Sequence, residues 1–96
     1  MQTVFYIDIS IQTTEGPQRV GRFELGSDRE AATHLFKKLK GSAAVNLKDV
    51  LYIEFMETVN GLPLNIDMIT CDLRELGSNV VLITLELFRL ANLKVR

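Results

Sequence analysis

The chain of 96 residues has no tryptophan, two prolines and a single cysteine, Cys71. One thiol excludes an intrachain disulfide and any zinc site built from several thiolates. No apolar run approaches the ~20 residues that span a bilayer, so no membrane helix is expected. Neither sign of charge is in excess: 11 basic against 12 acidic residues leave a net charge of −1. No long-range field therefore draws the protein toward nucleic acid or an anionic membrane. The opening Met1-Gln2-Thr3-Val4-Phe5-Tyr6 lacks a basic segment or a small-residue cleavage site, and Asp8 breaks its apolar run. That pattern points to a cytoplasmic setting. Also missing are a glycine-rich phosphate loop, paired CxxC, HExxH, GxSxG and an aromatic-basic RNA-binding run. No cofactor and no metal are expected.

What is present is an ordinary globular balance, 47% apolar and 24% charged, in a length that makes one domain with a thin core. One stretch has an echo. Val50-Leu51-Tyr52-Ile53-Glu54-Phe55-Met56 repeats the apolar and acidic places of Val4-Phe5-Tyr6-Ile7-Asp8-Ile9-Ser10, 46 residues earlier. With a shift of 45, Gly16 falls on Gly61, Ser27 on Asp72, Arg29 on Arg74 and Glu30 on Glu75. The chain reads as two strand–turn–strand–helix units, residues 1–41 and 49–96. Half-buried strands also resemble one another for purely physical reasons.

Taken in order, Phe5, Ile7, Ile9 and Ile11 alternate with Val4, Tyr6, Asp8 and Ser10, as in a strand buried on one side. The Gly16-Pro17 turn leads to a return strand, Arg19 to Leu25, with Phe23 and Leu25 inward and Val20, Arg22 and Glu24 outward. Ser27-Asp28-Arg29-Glu30 reads as a capping box for a helix to Lys40, stopped by Gly41. This opening resembles the start of a β-grasp domain, from which the second hairpin departs. A loop to about Lys48 precedes a strand from Asp49 to Glu57 with Leu51, Ile53 and Phe55 inward. Asn60-Gly61 suits a type I′ hairpin turn. Leu64, Ile66 and Met68 are expected inward on the fourth strand, where Pro63 suggests an edge. Asp72 and Glu75 cap a last helix whose inward stripe is Leu73, Leu76, Val80, Ile83, Leu87 and Leu90. Gly77-Ser78-Asn79 disfavours that helix, and a rival reading makes residues 80–87 a fifth strand. The helix is preferred. The expected fold is α+β, in the order β-β-α-β-β-α: a four-stranded antiparallel sheet with both helices on one face.

Few side chains point to chemistry. His34 falls among Glu30, Lys37 and Lys38, away from Leu35, Phe36 and Leu39, so it is expected in solvent without an orienting partner. Cys71 precedes a helix N-terminus, where a thiol's pKa falls, yet cysteines outside disulfides are among the most buried residues. Asp8, Glu24, Glu54 and Asp67 are expected on the outer sheet face, a solvated set that Arg22 partly neutralises, with no fixed ligand geometry. Tyr6, Tyr52 and Met56 share that face with Val4, Val20, Val50 and Ile69. Aromatics on an open sheet can stack on single-stranded bases, but the surrounding charge is acidic. The last helix is the anomaly, since Val81, Leu82, Leu85 and Phe88 form a second apolar arc beyond the inward stripe. A first helix packed alongside could cover it; otherwise it is an interface. The expectation is a non-catalytic interaction or assembly module, a homodimer or partner of another protein, joined through Val81, Leu82, Leu85 and Phe88. The open face with Tyr6, Arg22, Tyr52 and Met56 is the second candidate surface. The alternatives are a single-stranded nucleic-acid binder using that face with Lys37, Lys38 and Lys40, and a small enzyme or ligand-binding domain around Cys71 or the carboxylates.

Overall fold

The computed structural model describes residues 3–43 and 51–95, with side chains as far as residue 90. Its elements are β1 Thr3–Thr13, β2 Gly16–Gly26, α1 Arg29–Lys37, β3 Leu51–Val59, β4 Leu62–Cys71 and α2 Leu73–Val95. The strands form one antiparallel sheet in the order β2-β1-β3-β4. Alternation on the two central strands buries Phe5, Ile7 and Ile9 of β1 and Leu51, Ile53 and Phe55 of β3 on the same side. Ala32, Leu35 and Phe36 of α1 and Ile83 of α2 join them in one cluster, so both helices cover one face. The Phe36 ring stacks on Phe55 with centroids 5.1 Å apart. The fold is α+β, ordered β-β-α-β-β-α. The expected position of Val50 lies outside the described residues.

The sheet is in step about its centre. Asp8 stands opposite Glu54, its counterpart in the sequence comparison, and pairing runs from Thr3–Val59 to Ile11–Leu51 without a slip. The first hairpin carries two bulges, at Leu25 and Val20, and the second carries one, at Ile66. Val20 is the extra residue between the pairs Ile9–Gly21 and Ser10–Arg19. Ile66 is the extra residue between Phe55–Asp67 and Met56–Asn65. The halves also differ in their helices, of 9 and 23 residues.

The second bulge corrects the expected facing of β4. An extra residue exchanges the two faces of a strand beyond it. Ile69 and Cys71 lie opposite Ile53 and Leu51 and pack on the core, so Ile69 leaves the open face to which the sequence pattern assigns it. Met68 takes its place there, opposite Glu54. Asp67 stands opposite Phe55 on the helix side, Ile66 is the exposed bulge residue, and Leu64, opposite Glu57, keeps its expected side but is half exposed. As an edge strand, β4 tolerates Pro63. The turn before it has φ of 52° at Asn60 and 83° at Gly61, the positive values a type I′ hairpin requires.

Both helices begin with a cap. On α1 it is Asp28, one residue later than expected, whose carboxylate accepts from the Ala31 N–H at 3.2 Å. This helix ends at Lys37, short of Lys40. Asp72 and Glu75 form the reciprocal box on α2: Glu75 N–H donates to Asp72 Oδ1 at 2.7 Å, and Asp72 N–H donates to Glu75 Oε1 at 3.1 Å. Residues 80–87 are helical, so the fifth-strand alternative does not apply.

Asn79 explains why the helix crosses its unfavourable Gly77-Ser78-Asn79 segment. It is 0% exposed. Its Oδ1 accepts from the Lys40 N–H at 2.7 Å and its Nδ2 donates to the Lys40 carbonyl at 2.8 Å. One side chain thus serves both backbone groups of a residue just beyond α1. The next two residues are tied on the other side. A Cβ at Gly41 would lie 2.6 Å from the Thr70 carbonyl oxygen, so only glycine fits there. Ser42 and Thr70 then exchange two backbone hydrogen bonds of 2.9 Å. Segment 40–42 is therefore held between α2 and the edge of β4. Asn79→Ala removes both partners of Lys40 and should lower stability by about 1–3 kcal/mol, read as an earlier midpoint at unchanged slope in urea unfolding.

Candidate functional site

A helix that follows Cys71 and is pinned at Asn79 has its faces assigned. Leu76, Val80, Ile83 and Leu87 turn toward the sheet. Val81, Leu85 and Phe88, at the i, i+4 and i+7 spacing that shares one face, are left outward at 59%, 64% and 67% exposure. Leu82 is a correction to the expected set. It is half-buried and packed against the core, on the arc shared with Glu86 that turns toward α1. Leu73, expected inward, is exposed because it precedes the turn where α2 reaches the core at Leu76.

The two helices differ in their outer faces. On α1 the exposed residues are Arg29, Glu30, His34 and Lys37, the charged surface expected of a helix that faces water. The outer face of α2 carries an apolar stripe, Val81, Leu85 and Phe88, flanked by exposed Arg74, Ser78, Thr84 and Arg89. Gly77 lies on the same arc with nothing within 4 Å of where a Cβ would be. It is absent from the positive-φ positions. Among the described residues neither packing nor backbone conformation calls for glycine there, although it costs about 1 kcal/mol relative to alanine inside a helix.

Beside this face Glu86 joins the helices. Its carboxylate accepts from Arg89 at 2.7 Å and from Lys38 of α1 at 3.2 Å. The Arg89 hydrogen bond first, and that of Lys38 after it, hold the Glu86 carboxyl below its ordinary pKa. Arg29 makes the corresponding tie at the start of α1, 2.7 Å from Glu57 and over the Phe5 ring at 5.0 Å.

The second surface is less open than the sequence suggests. Tyr6 is only 5% exposed, because the Arg22 guanidinium lies 4.2 Å over its ring and Met56 stands beside it. Asp8 holds that guanidinium through bonds of 2.7 and 3.1 Å, which raise the Arg22 pKa. Tyr6 therefore presents no ring face for stacking. Tyr52 and Met56 are half-buried, and Tyr52 borders a shallow hollow of about 180 Å³ with Ser10, Gln12, Glu54 and Met68. The carboxylates expected together are apart in role. Asp8 pairs with Arg22, Glu54 accepts from Asn65 at 3.1 Å, and Asp67 caps the Met68 N–H. Among the described residues no group of three or more acidic, His or Cys side chains converges to hold a metal ion.

The chemistry-bearing residues stand in different surroundings. His34 is exposed on α1, in a shallow depression with Arg29, Glu30, Thr33 and Lys37. Cys71 is buried in the core beneath the helices. A larger cleft of about 440 Å³ opens between the end of β2, the start of α1 and Leu87 and Leu90 of α2. Among the described residues no helix is long and apolar enough to cross a membrane.

No family model, no curated protein and no solved structure matches the chain. Sequence reasoning missed Asn79 as a tether and Arg22 as the cover of Tyr6. For the second, the signal was available in the spacing of Asp8 and Arg22 across the first hairpin.

The Glu86 ties generate a pH test. A carboxyl whose folded pKa is depressed adds stability above its unfolded pKa, near 4.3, and loses it as pH falls through the folded value. Glu86→Gln should cost under about 1 kcal/mol at pH 7, because the group is partly exposed. The difference from the native chain should shrink when urea unfolding is repeated at about pH 3.

Proposed function

We propose that the chain is a non-catalytic interaction and assembly module that self-associates through the outer face of α2, with Val81, Leu85 and Phe88 as its contact residues. The observation that carries this reading is their exposure on a helix whose inner face is already occupied. Among the described residues these three side chains keep most of their surface in solvent. Contiguous apolar surface of this kind, beside polar residues such as Arg74 and Arg89, marks a place where proteins meet. Spacing at i, i+4 and i+7 is also how a helix presents anchors to a partner groove or helix.

The magnitudes suit reversible association. Burying a Val, Leu or Phe side chain contributes roughly 1.5–3 kcal/mol, and association costs at least ~4 kcal/mol in lost freedom. Three anchors per copy leave a surplus whose range includes micromolar binding. Leu82 supports the assembly indirectly, by seating α2 on the core. The open sheet is the weaker candidate surface, since Tyr6 is covered and Tyr52 half-buried. A cytoplasmic setting belongs to this proposal and is supported by the lone thiol.

Light scattering at tens to hundreds of micromolar tests the proposal with the native chain and a Leu85→Glu, Phe88→Glu variant. The expected result is a native dimer and a variant that is monomeric with an unchanged circular dichroism spectrum. A native chain that stays monomeric throughout that range overturns the α2 interface.

A further inference from the structure

The outer face of α2 carries a pattern that says what kind of partner fits it. Val81 lies at the middle of the exposed arc. Four residues before it is Gly77 and four after is Leu85; seven before is Arg74 and seven after is Phe88. In an antiparallel helix pair related by a two-fold axis, a residue some number of positions before the axis faces the residue the same number after it on the other copy. With the axis at Val81, Leu85 of each copy meets Gly77 of the other. A large exposed side chain then fills the place where the facing helix has no Cβ and open space. Arg74 meets Phe88, which is a cation over an exposed ring. Ser78 meets Thr84, and Leu73 meets the stem of Arg89. The two carboxylates that flank the arc are engaged within the chain, Glu75 in the cap with Asp72 and Glu86 with Lys38 and Arg89.

We infer that the partner of this face is a second copy of the chain, its α2 crossing antiparallel with Val81 on the two-fold axis and each Leu85 seated over the other copy's Gly77. This rests on the proposed self-association through α2 and adds its register. A heterologous partner would need no such correspondence within one helix. Self-pairing also gives Gly77 a reason that the fold of one copy does not supply.

The area sets the strength. From Leu73 to Arg89 the stripe is roughly 24 Å long at 1.5 Å per residue. A patch of that length offers a few hundred Å² on each copy, so the pair falls below the ~1,200 Å² at which stable interfaces begin. The dimer is accordingly weak and concentration-dependent.

Two measurements on the full chain test the register. The first is sedimentation equilibrium on Gly77→Leu, a substitution with room inside the monomer. The expected result is an unchanged or raised melting temperature with a dissociation constant at least tenfold higher than native. The second is oxidative cross-linking of Val81→Cys against Leu73→Cys at equal concentration, which decides the register even if Gly77→Leu fails to fold. Val81→Cys should give a covalent dimer. Leu73→Cys should stay monomeric, because the two copies of that residue lie at opposite ends of the pair. A dimer as tight in Gly77→Leu as in the native chain, or equal cross-linking at both positions, overturns the register while the α2 interface stands. A native chain that is monomeric at every concentration removes the interface and the inference together.

Discussion

The structure depends on one buried amide. Asn79 makes a pair of hydrogen bonds to the backbone of Lys40, closing both groups of a residue 39 positions away. A buried amide without partners costs several kcal/mol, so this side chain is at home in only one arrangement of the two helices. It thereby sets how far α2 is rotated about its axis and where α1 must end. From the same segment, Gly41 and Ser42 reach Thr70 on β4, and a chain of direct bonds runs from α2 through the loop to the sheet. The apolar core supplies most of the drive to fold, but apolar contact is not directional. The amide supplies the rotation.

That rotation determines which residues are left over. With Asn79 and Ile83 fully inward, geometry alone turns Val81, Leu85 and Phe88 to solvent, and the neighbouring Leu82 falls toward α1. A sheet of four strands offers room for two helices on one face, and both places are taken. Among the described residues no third element covers the outer arc of α2. The opposite face of the sheet solves the same problem locally, by laying Arg22 over Tyr6 and pairing it with Asp8. One surface is thus closed by its own side chains, and the other is left apolar and open.

Much of this was legible from hydrophobic period. Phe5, Ile7 and Ile9, and Leu51, Ile53 and Phe55, announce their strands because β1 and β3 are central and every second residue must be buried. The reciprocal cap at Asp72 and Glu75 announces α2. Period could not announce the bulge at Ile66, since an extra residue leaves composition unchanged while exchanging the faces beyond it; Ile69 and Met68 were assigned to the wrong sides for that reason. Nor could it value Asn79. Local propensity counts an asparagine within a helix as a cost, and its compensation comes from a residue far away in the chain. The second apolar arc was visible as a pattern, but only the position of α1 separates the covered Leu82 from the exposed Val81, Leu85 and Phe88.

In the proposed assembly α2 meets its partner through this arc while the open sheet stays outside the contact. Backbone amide shifts followed by nuclear magnetic resonance during dilution of the native chain test it most directly. Such a contact predicts concentration-dependent shifts that cluster at Gly77, Val81, Leu85 and Phe88, with Tyr6, Arg22, Tyr52 and Met56 unmoved. Shifts confined to those four sheet residues, or none anywhere on dilution, would contradict it.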